Sequence, residues 1–308
     1  MGTYIARRLL WTPILLLIVS FITFAMVQLA PGDPIQIRMG QHNDPEAVQR
    51  IRDEMGLNDP IPVQYARYIR NVARGDFGES LQYQGRSVGE IVLKRVRVSA
   101  QLNLAGLIVS LSLGIPLGLY AALKQGTGWD VVAVAGTLVG QSLPVFLTAP
   151  VLLIVFALYF DILPTHGWNG FFSTNIILPA VVLGIPGVAI LARITRASTL
   201  DVLVQDYIRT ARAKGLGERL VLYRHALKNA MLPVLTIIGL GLAALVAGLV
   251  VVETVFGVPG LGRLVADSIS RRDYPVIQGV ILTASVIYIF VNLLVDILYA
   301  YLDPRIRY

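Results

Sequence analysis

Six stretches of the chain contain no Asp, Glu, Lys or Arg and are dense in Leu, Val, Ile and Ala: residues 9–32, 98–123, 131–160, 162–192, 229–252 and 274–295. Each exceeds the roughly 20 residues a helix needs to cross a ~30 Å hydrocarbon core. Lipid offers backbone N–H and C=O groups no outside partner, so helix is the expected form. The pattern therefore predicts an all-α polytopic membrane protein with six transmembrane helices. The fourth should start late, because Pro164, His166, Asn169 and Asn175 mark a loop before Ile176. Pro116, Pro144 and Pro186 lie inside apolar runs and should kink their helices.

A cleaved signal peptide is the rival reading of the first run, with Arg7 and Arg8 as its basic start. The apolar part is too long for that, however, and Gln28-Leu29-Ala30-Pro31-Gly32 offers no small-x-small cleavage site. Residues 1–30 are expected to be an uncleaved first span. The polar segment 31–97 has helix punctuation of its own: Asp44-Pro45-Glu46 starts a helix that Gly56 stops, and Asp59-Pro60 starts a second through Tyr65, Tyr68 and Ile69, ending near Gly75. It reads as a small helical cap, with Tyr65 and Tyr68 open to packing or to recognition of a soluble partner. Residues 98–302 then hold five spans, with a polar loop at 193–230 and a short tail at 303–308.

Composition agrees with the pattern. Hydrophobic residues make up 55% and charged residues 15% of the 308, with mean hydropathy +0.68, where a soluble domain carries about 25% charged residues. The absence of cysteine excludes disulfides and thiolate metal sites. A net charge of +7 raises nucleic acid as a partner, but the bases flank apolar runs and form no patch interleaved with aromatics. No nucleic-acid partner is expected.

Charge also sets orientation. With the N-terminus inside, inner and outer segments carry 13 Lys and Arg each, but ten of the outer ones lie between Arg38 and Arg97. That segment is long, and the positive-inside bias belongs to short loops. Without it the count is 13 against three, which puts both termini and the loop 193–230 in the cytoplasm. Lys94, Arg95 and Arg97 conflict with this, since they abut the second run on its outer side.

Catalytic patterns are missing. Gly257-Val-Pro-Gly-Leu-Gly262 and Gly215-Leu-Gly217 lack the Lys-Ser/Thr ending that holds phosphate and Mg²⁺, and His42, His166 and His225 are far apart in sequence. An ion-coupled secondary transporter or channel is the more serious alternative. It needs an ionisable residue near mid-membrane, and the candidates Glu253 and Asp296 lie near the ends of the fifth and sixth runs. Asp296 fits a helix-packing carboxylate as well as an ion relay.

The loop between the fourth and fifth runs is where work from a separate engine could enter. A helix over Asp201 to Lys214 would place Leu203, Ile208 and Ala211 on one small apolar face. Gly215 and Gly217 would turn the chain, and Leu220, Val221 and His225 would lead back to the membrane. Ala211, Ala213 and Gly215 would permit close approach of a partner, while Arg209, Arg212, Lys214 and Arg219 could pair with its acids.

The loop resembles the coupling motif of ATP-binding cassette importer permeases: Glu-Ala-Ala, three residues, Gly, then nine residues before a short apolar pair. Ala211 aligns with the second Ala, Gly215 with the Gly, and His225 and Leu227 with the apolar pair; Arg209 and Thr210 stand for Glu and Ala, and Lys228 for Pro. These departures are similar to the peptide and nickel branch, whose version reads Thr-Ala-Arg-Ala-Lys-Gly-Leu and His-x-Leu-x-Asn, here Thr210 to Leu216 and His225 to Asn229. Leu29-Ala-Pro-Gly-Asp-Pro34, Gly75-Asp-Phe-Gly-x-Ser80, Glu253-Thr-Val-Phe-x-x-Pro-Gly-Leu-Gly262, Arg272-Asp-Tyr-Pro275 and Asp303-Pro-Arg305 resemble the first-permease type of dipeptide and oligopeptide systems.

The resemblance implies a type I importer transmembrane domain with an extracytoplasmic helical insertion after its first helix, set in the bacterial plasma membrane. It also implies a second, homologous permease as heterodimer partner, two cytoplasmic ATPase subunits and an extracytoplasmic solute-binding protein. ATP and Mg would sit on the ATPases, with no cofactor on this chain and no catalysis by it. The coupling residues would be Arg209, Thr210, Ala211, Gly215, Leu216, His225, Leu227 and Asn229, and an outer gate would involve Glu253, Phe256, Pro259, Gly260 and Arg263. Pathway candidates are Gln101, Asn103, Gln141, Ser142, Thr148 and Asn292, each of which could instead make an interhelical hydrogen bond. Peptides, nickel chelates and glutathione all remain open as cargo.

Overall fold

The computed structural model describes residues 2–29, 45–54, 56–83, 85–243 and 249–302. Among them no strand forms, and the secondary structure is helical: α1 Gly2–Leu29, α2 Pro45–Glu54, α3 Ile61–Val72, α4 Val88–Leu123, α5 Gly128–Ser142, α6 Val145–Leu153, α7 Ile177–Leu203, α8 Asp206–Ala213, α9 Leu227–Ala243, α10 Val250–Val255, α11 Leu261–Ser270 and α12 Tyr274–Leu302. The chain divides into two compact units, one of residues 1–99, 246–250 and 259–308, the other of residues 100–245 and 251–258.

Four helices are long and apolar enough to cross a membrane, within Leu10–Leu29, Val88–Leu123, Thr174–Leu203 and Tyr274–Val295, or five if Gly128–Ser142 and Val145–Tyr159 count as one span. The expected count of six is thus reached only in part. The third apolar run is bent by 103° at Leu143-Pro144, where Pro144 opens α6 with φ −64° and ψ 140°. Proline cannot continue the ladder of the helix before it, so a kink becomes a break. The fifth run is helical through Ala243, and residues 244–248 lie outside the described residues. The fourth begins after a loop, with a short 3₁₀ turn at Thr174–Ile176, as expected.

Two ends differ from expectation for one reason. α4 starts ten residues before the second apolar run and so includes Lys94, Arg95 and Arg97, while α7 runs eleven residues past Ala192. At 1.5 Å per residue the 36 residues of α4 span about 54 Å, well over the ~30 Å hydrocarbon core. Its basic first turns, with Lys94, Arg95 and Arg97, can therefore stand clear of lipid. α7 ends at Leu203, and α8 starts only at Asp206, so the expected helix from Asp201 is in fact two helices.

In the first unit α1 and α12 pack side by side, with Gln278 Nε2 donating to the Thr23 carbonyl at 3.3 Å. Both cap helices form. Gly56 has φ +65° and Gly75 φ +80°, the left-handed conformation that ends helices cheaply at glycine. Tyr65 and Tyr68 take the packing role: Tyr65 meets Phe21 edge-on at 5.6 Å and Phe24 at 5.4 Å, and Tyr68 meets Phe24 at 5.7 Å. Asp44 and the segment from Ala30 to Pro34 lie outside the described residues, as do Asp303 to Arg305.

In the second unit α7 is the central post, packed on α5, α6 and α9. Glycines let helices close on it. A Cβ on Gly106, Gly114 or Gly118 of α4 would press on Leu183, on Leu191 and Val188, or on Ala192 and Thr195 respectively. Gly114 and Gly118 form the small-x-x-x-small spacing that brings membrane helices together.

Candidate functional site

The loop from Asp206 to Asn229 folds as a closed knob. α8 ends in a capping motif at Lys214: the Gly215 amide donates to the Arg212 carbonyl at 2.9 Å and the Leu216 amide to the Ala211 carbonyl at 3.4 Å. Gly215 has φ +77°, as the reversal demands, and Leu216 folds back on the apolar side of the helix it terminates.

The return arm uses a different device. Residues Val221–Ala226 form a wide π-type turn, in which the Leu227 amide reaches the Leu222 carbonyl. Bonding to the fifth residue back brings Ala226 round toward the face occupied by Val221. Ile208, Ala211, Val221 and Ala226 then make one buried core, with Val202, Leu203 and Leu216 packed against it. Ala211 therefore holds the two arms together from within; it is 6% exposed and turned away from any outside partner.

Polar bonds tie the rim. Arg212 donates to Glu218 from Nη2 at 2.7 Å and Nε at 3.2 Å across the turn, which lowers the Glu218 pKa and raises that of Arg212. At the base Asn229 Nδ2 donates to the Tyr207 hydroxyl at 2.8 Å. Arg209 lies 3.6 Å from Asp206, and the Thr210 hydroxyl donates to the Asp206 carbonyl at 2.9 Å. His225 and Leu227 are half-buried where the knob meets α9. The outer surface shows six bases against two acids between Asp206 and Asn229, together with exposed Tyr223 and Leu220. A basic rim around apolar side chains suits a protein surface carrying acids and a hydrophobic pocket.

The other expected residues are divided between the two units. Glu253 and Phe256 are buried in the second unit, where the Glu253 carbonyl accepts from the Val258 amide at 2.8 Å and the Phe256 carbonyl from the Gly167 amide at 3.0 Å. In the first unit Gly260 caps α11, Pro259 precedes it, and Arg263 is 3.9 Å from Asp267 one turn on. Gln101 is half-buried and Asn103 buried on α4, whereas Gln141 and Ser142 are exposed just before the bend. Ser142 and Asn292 bond within their own helices, to the carbonyls of Leu138 at 2.8 Å and Tyr288 at 3.0 Å, and Thr148 bonds likewise to those of Pro144 and Val145. The side chain of Asp296 lies outside the described residues. Among the described residues no group of acids and histidines is placed to hold a metal.

Sequence reasoning missed one pair. Arg196 on α7 grips Asp130 on α5 with two hydrogen bonds, Nε to Oδ1 at 2.6 Å and Nη2 to Oδ2 at 2.8 Å. The available signal was weak: an acid and a base, each just beyond or beside an apolar run and 66 residues apart.

The family model for the binding-protein-dependent transport system inner membrane component matches residues 114–308, and its N-terminal companion matches residues 1–99. The chain belongs to this family. The permease is 41% identical, over all of both chains, to a probable peptide ABC transporter permease protein y4tP of Sinorhizobium fredii. It is 41% identical to the oligopeptide transport system permease protein OppB of Escherichia coli K12, over 99% of each chain. It is also 40% identical, over the whole of both chains, to a glutathione transport system permease protein GsiC of Salmonella paratyphi A. These matches place the loop knob within the 114–308 segment.

Proposed function

We propose that the chain is the membrane-spanning permease subunit of an ATP-driven importer of di- and oligopeptides, forming half of the translocation pathway. The closed core of Ile208, Ala211, Val221 and Ala226 carries this reading, because a rigid knob can transmit a push from a separate protein where a flexible loop cannot. In this reading the knob faces the cytoplasm and docks on one of two ATPase subunits that hold ATP and Mg. A homologous second permease supplies the other half of the pathway, and a solute-binding protein delivers cargo to the opposite face. Six spans, both termini in the cytoplasm and residues 31–97 as an extracytoplasmic insertion complete the topology. The curated names of full-length relatives support peptides as cargo, with glutathione and nickel chelates as narrower versions of the same architecture.

ATP binding would draw the two knobs together and open the pathway toward the loaded binding protein; hydrolysis would reset it. Copurification from membranes tests the docking. The native chain should retain the ATPase subunits, and Val221→Asp, which puts a charge in the knob core, should lose them while the chain stays in the membrane. Ion-gradient-driven uptake by the purified chain alone would instead establish a self-contained transporter and sink the importer reading.

A further inference from the structure

α7 is tied at two points just above the knob. Its Ser198 hydroxyl donates to the Ala230 carbonyl of α9 at 2.7 Å, which joins the two helices that enter the knob. Two residues earlier Arg196 holds Asp130 through both carboxylate oxygens, and Asp130 Oδ2 also accepts the Gly126 amide at 3.1 Å. Asp130 is 6% exposed.

Such a pair is a poor choice if stability is all that matters. Taking the Asp130 carboxylate out of water offsets part of its attraction to Arg196, whose side chain stays 26% exposed, and apolar residues of similar size are often at least as stabilising. A planar guanidinium on a carboxylate supplies direction instead: two parallel bonds resist rotation as well as separation. The pair ties the start of α5 to α7. α5 runs unbroken for 15 residues from Asp130's first turn to Ser142, about 20 Å, and stops at the 103° bend. Gln141 and Ser142, exposed polar residues, stand at that bend.

We infer that the Asp130–Arg196 pair is a clamp that carries displacement of the knob, through α7, into α5 and the bend at Leu143-Pro144. Both act in this inference as positioning residues. The inference rests on the importer reading, and the importer's cycle supplies the displacement.

The test uses the assembled complex, with its ATPases, second permease and binding protein, in proteoliposomes, and reads peptide uptake per ATP hydrolysed. Asp130→Asn and Arg196→Gln should each lower that ratio by about tenfold, with ATP hydrolysis falling much less than uptake. Arg196→Lys, which keeps the charge but not the fork, should fall between. Reversing the pair, Asp130→Arg with Arg196→Asp, should recover part of what Asp130→Arg alone loses. An unchanged ratio in the single variants overturns the clamp, and so does a parallel fall in uptake, hydrolysis and complex yield, the mark of a purely structural bond. A native complex with no ATP-driven uptake fails earlier, at the importer reading itself.

Discussion

The buried carboxylate of Asp273 accepts a hydrogen bond from the hydroxyl of Ser80, joining two short motifs 193 residues apart. Its oxygens also receive the Leu81 amide at 3.1 Å and the Gln82 amide at 3.4 Å, and Ser80 in turn accepts from the Tyr83 amide at 2.9 Å. Arg272, with φ +56°, turns the chain so that Asp273 reaches them. Asp273→Ala should cost about 3 kcal/mol, since it strands buried donors. Asp273→Asn keeps one acceptor and should cost less. Apparent melting temperatures of the two variants in detergent should rank in that order below the native chain.

Gly118 faces the backbone of α7 so closely that a Cβ there would run into the Ala192 carbonyl oxygen and lie 2.7 Å from Thr195 Cβ. Backbone cannot step aside, so Gly118→Ala should destabilise by about 1–3 kcal/mol. Gly136 on α5 has nothing within 4 Å of such a Cβ. Gly136→Ala should leave stability unchanged or raise it by about 0.5–1 kcal/mol, because it removes a helix glycine's entropy cost. Thermal unfolding of the two variants side by side separates close helix approach from mere helix propensity.

The limits of sequence reading follow from these contacts. Apolar runs located α1 and α12 because a membrane span is a local property, and Gly56 and Gly75 marked helix ends because left-handed backbone is local too. Pro144 marks the place of the bend but not its size of 103°, since proline in an apolar run is compatible with a mild kink or a full break. α7 was cut short at Ala192 because Arg193 and Arg196 broke the charge-free count, and Asp130, which partners Arg196, lies 66 residues away. The knob is legible as helix, turn and return, and helical spacing sets Ala211 on the apolar face with Ile208, but whether that face meets a partner or the return arm is not legible. The π-type turn, which brings Ala226 toward the face of Val221, closes the return arm over Ala211.

Gly215 has φ +77° with nothing within 4 Å of its Cβ position. Backbone strain, and not bulk, should therefore decide what is tolerated. Gly215→Ala should cost about 1–2 kcal/mol for left-handed backbone. Asn should cost less, because it visits that region more readily, and Val more, because it is β-branched. ATP-driven uptake in membranes should follow the order Gly, Asn, Ala, Val, with Val abolishing it. An equal loss in all three would indicate a partner pressed against the Cβ position instead.

The Arg212–Glu218 bridge makes the knob's closure dependent on acid. Arg212 holds the Glu218 carboxyl below its ordinary pKa, so the folded knob binds that proton less readily than the open loop does. The bridge's contribution is therefore full above the ordinary carboxylate value of about 4.3 and is lost as pH falls through the lower folded value. Both side chains are exposed, 43% and 57%, so the effect should be small, as surface pairs are. Hydrogen exchange at the Gly215 and Leu216 amides, corrected for intrinsic rates, should be slightly faster in Glu218→Gln than in the native chain at pH 7. The difference should vanish in acid as the native carboxylate protonates; a difference that persists there would assign the effect to something other than the bridge's charge.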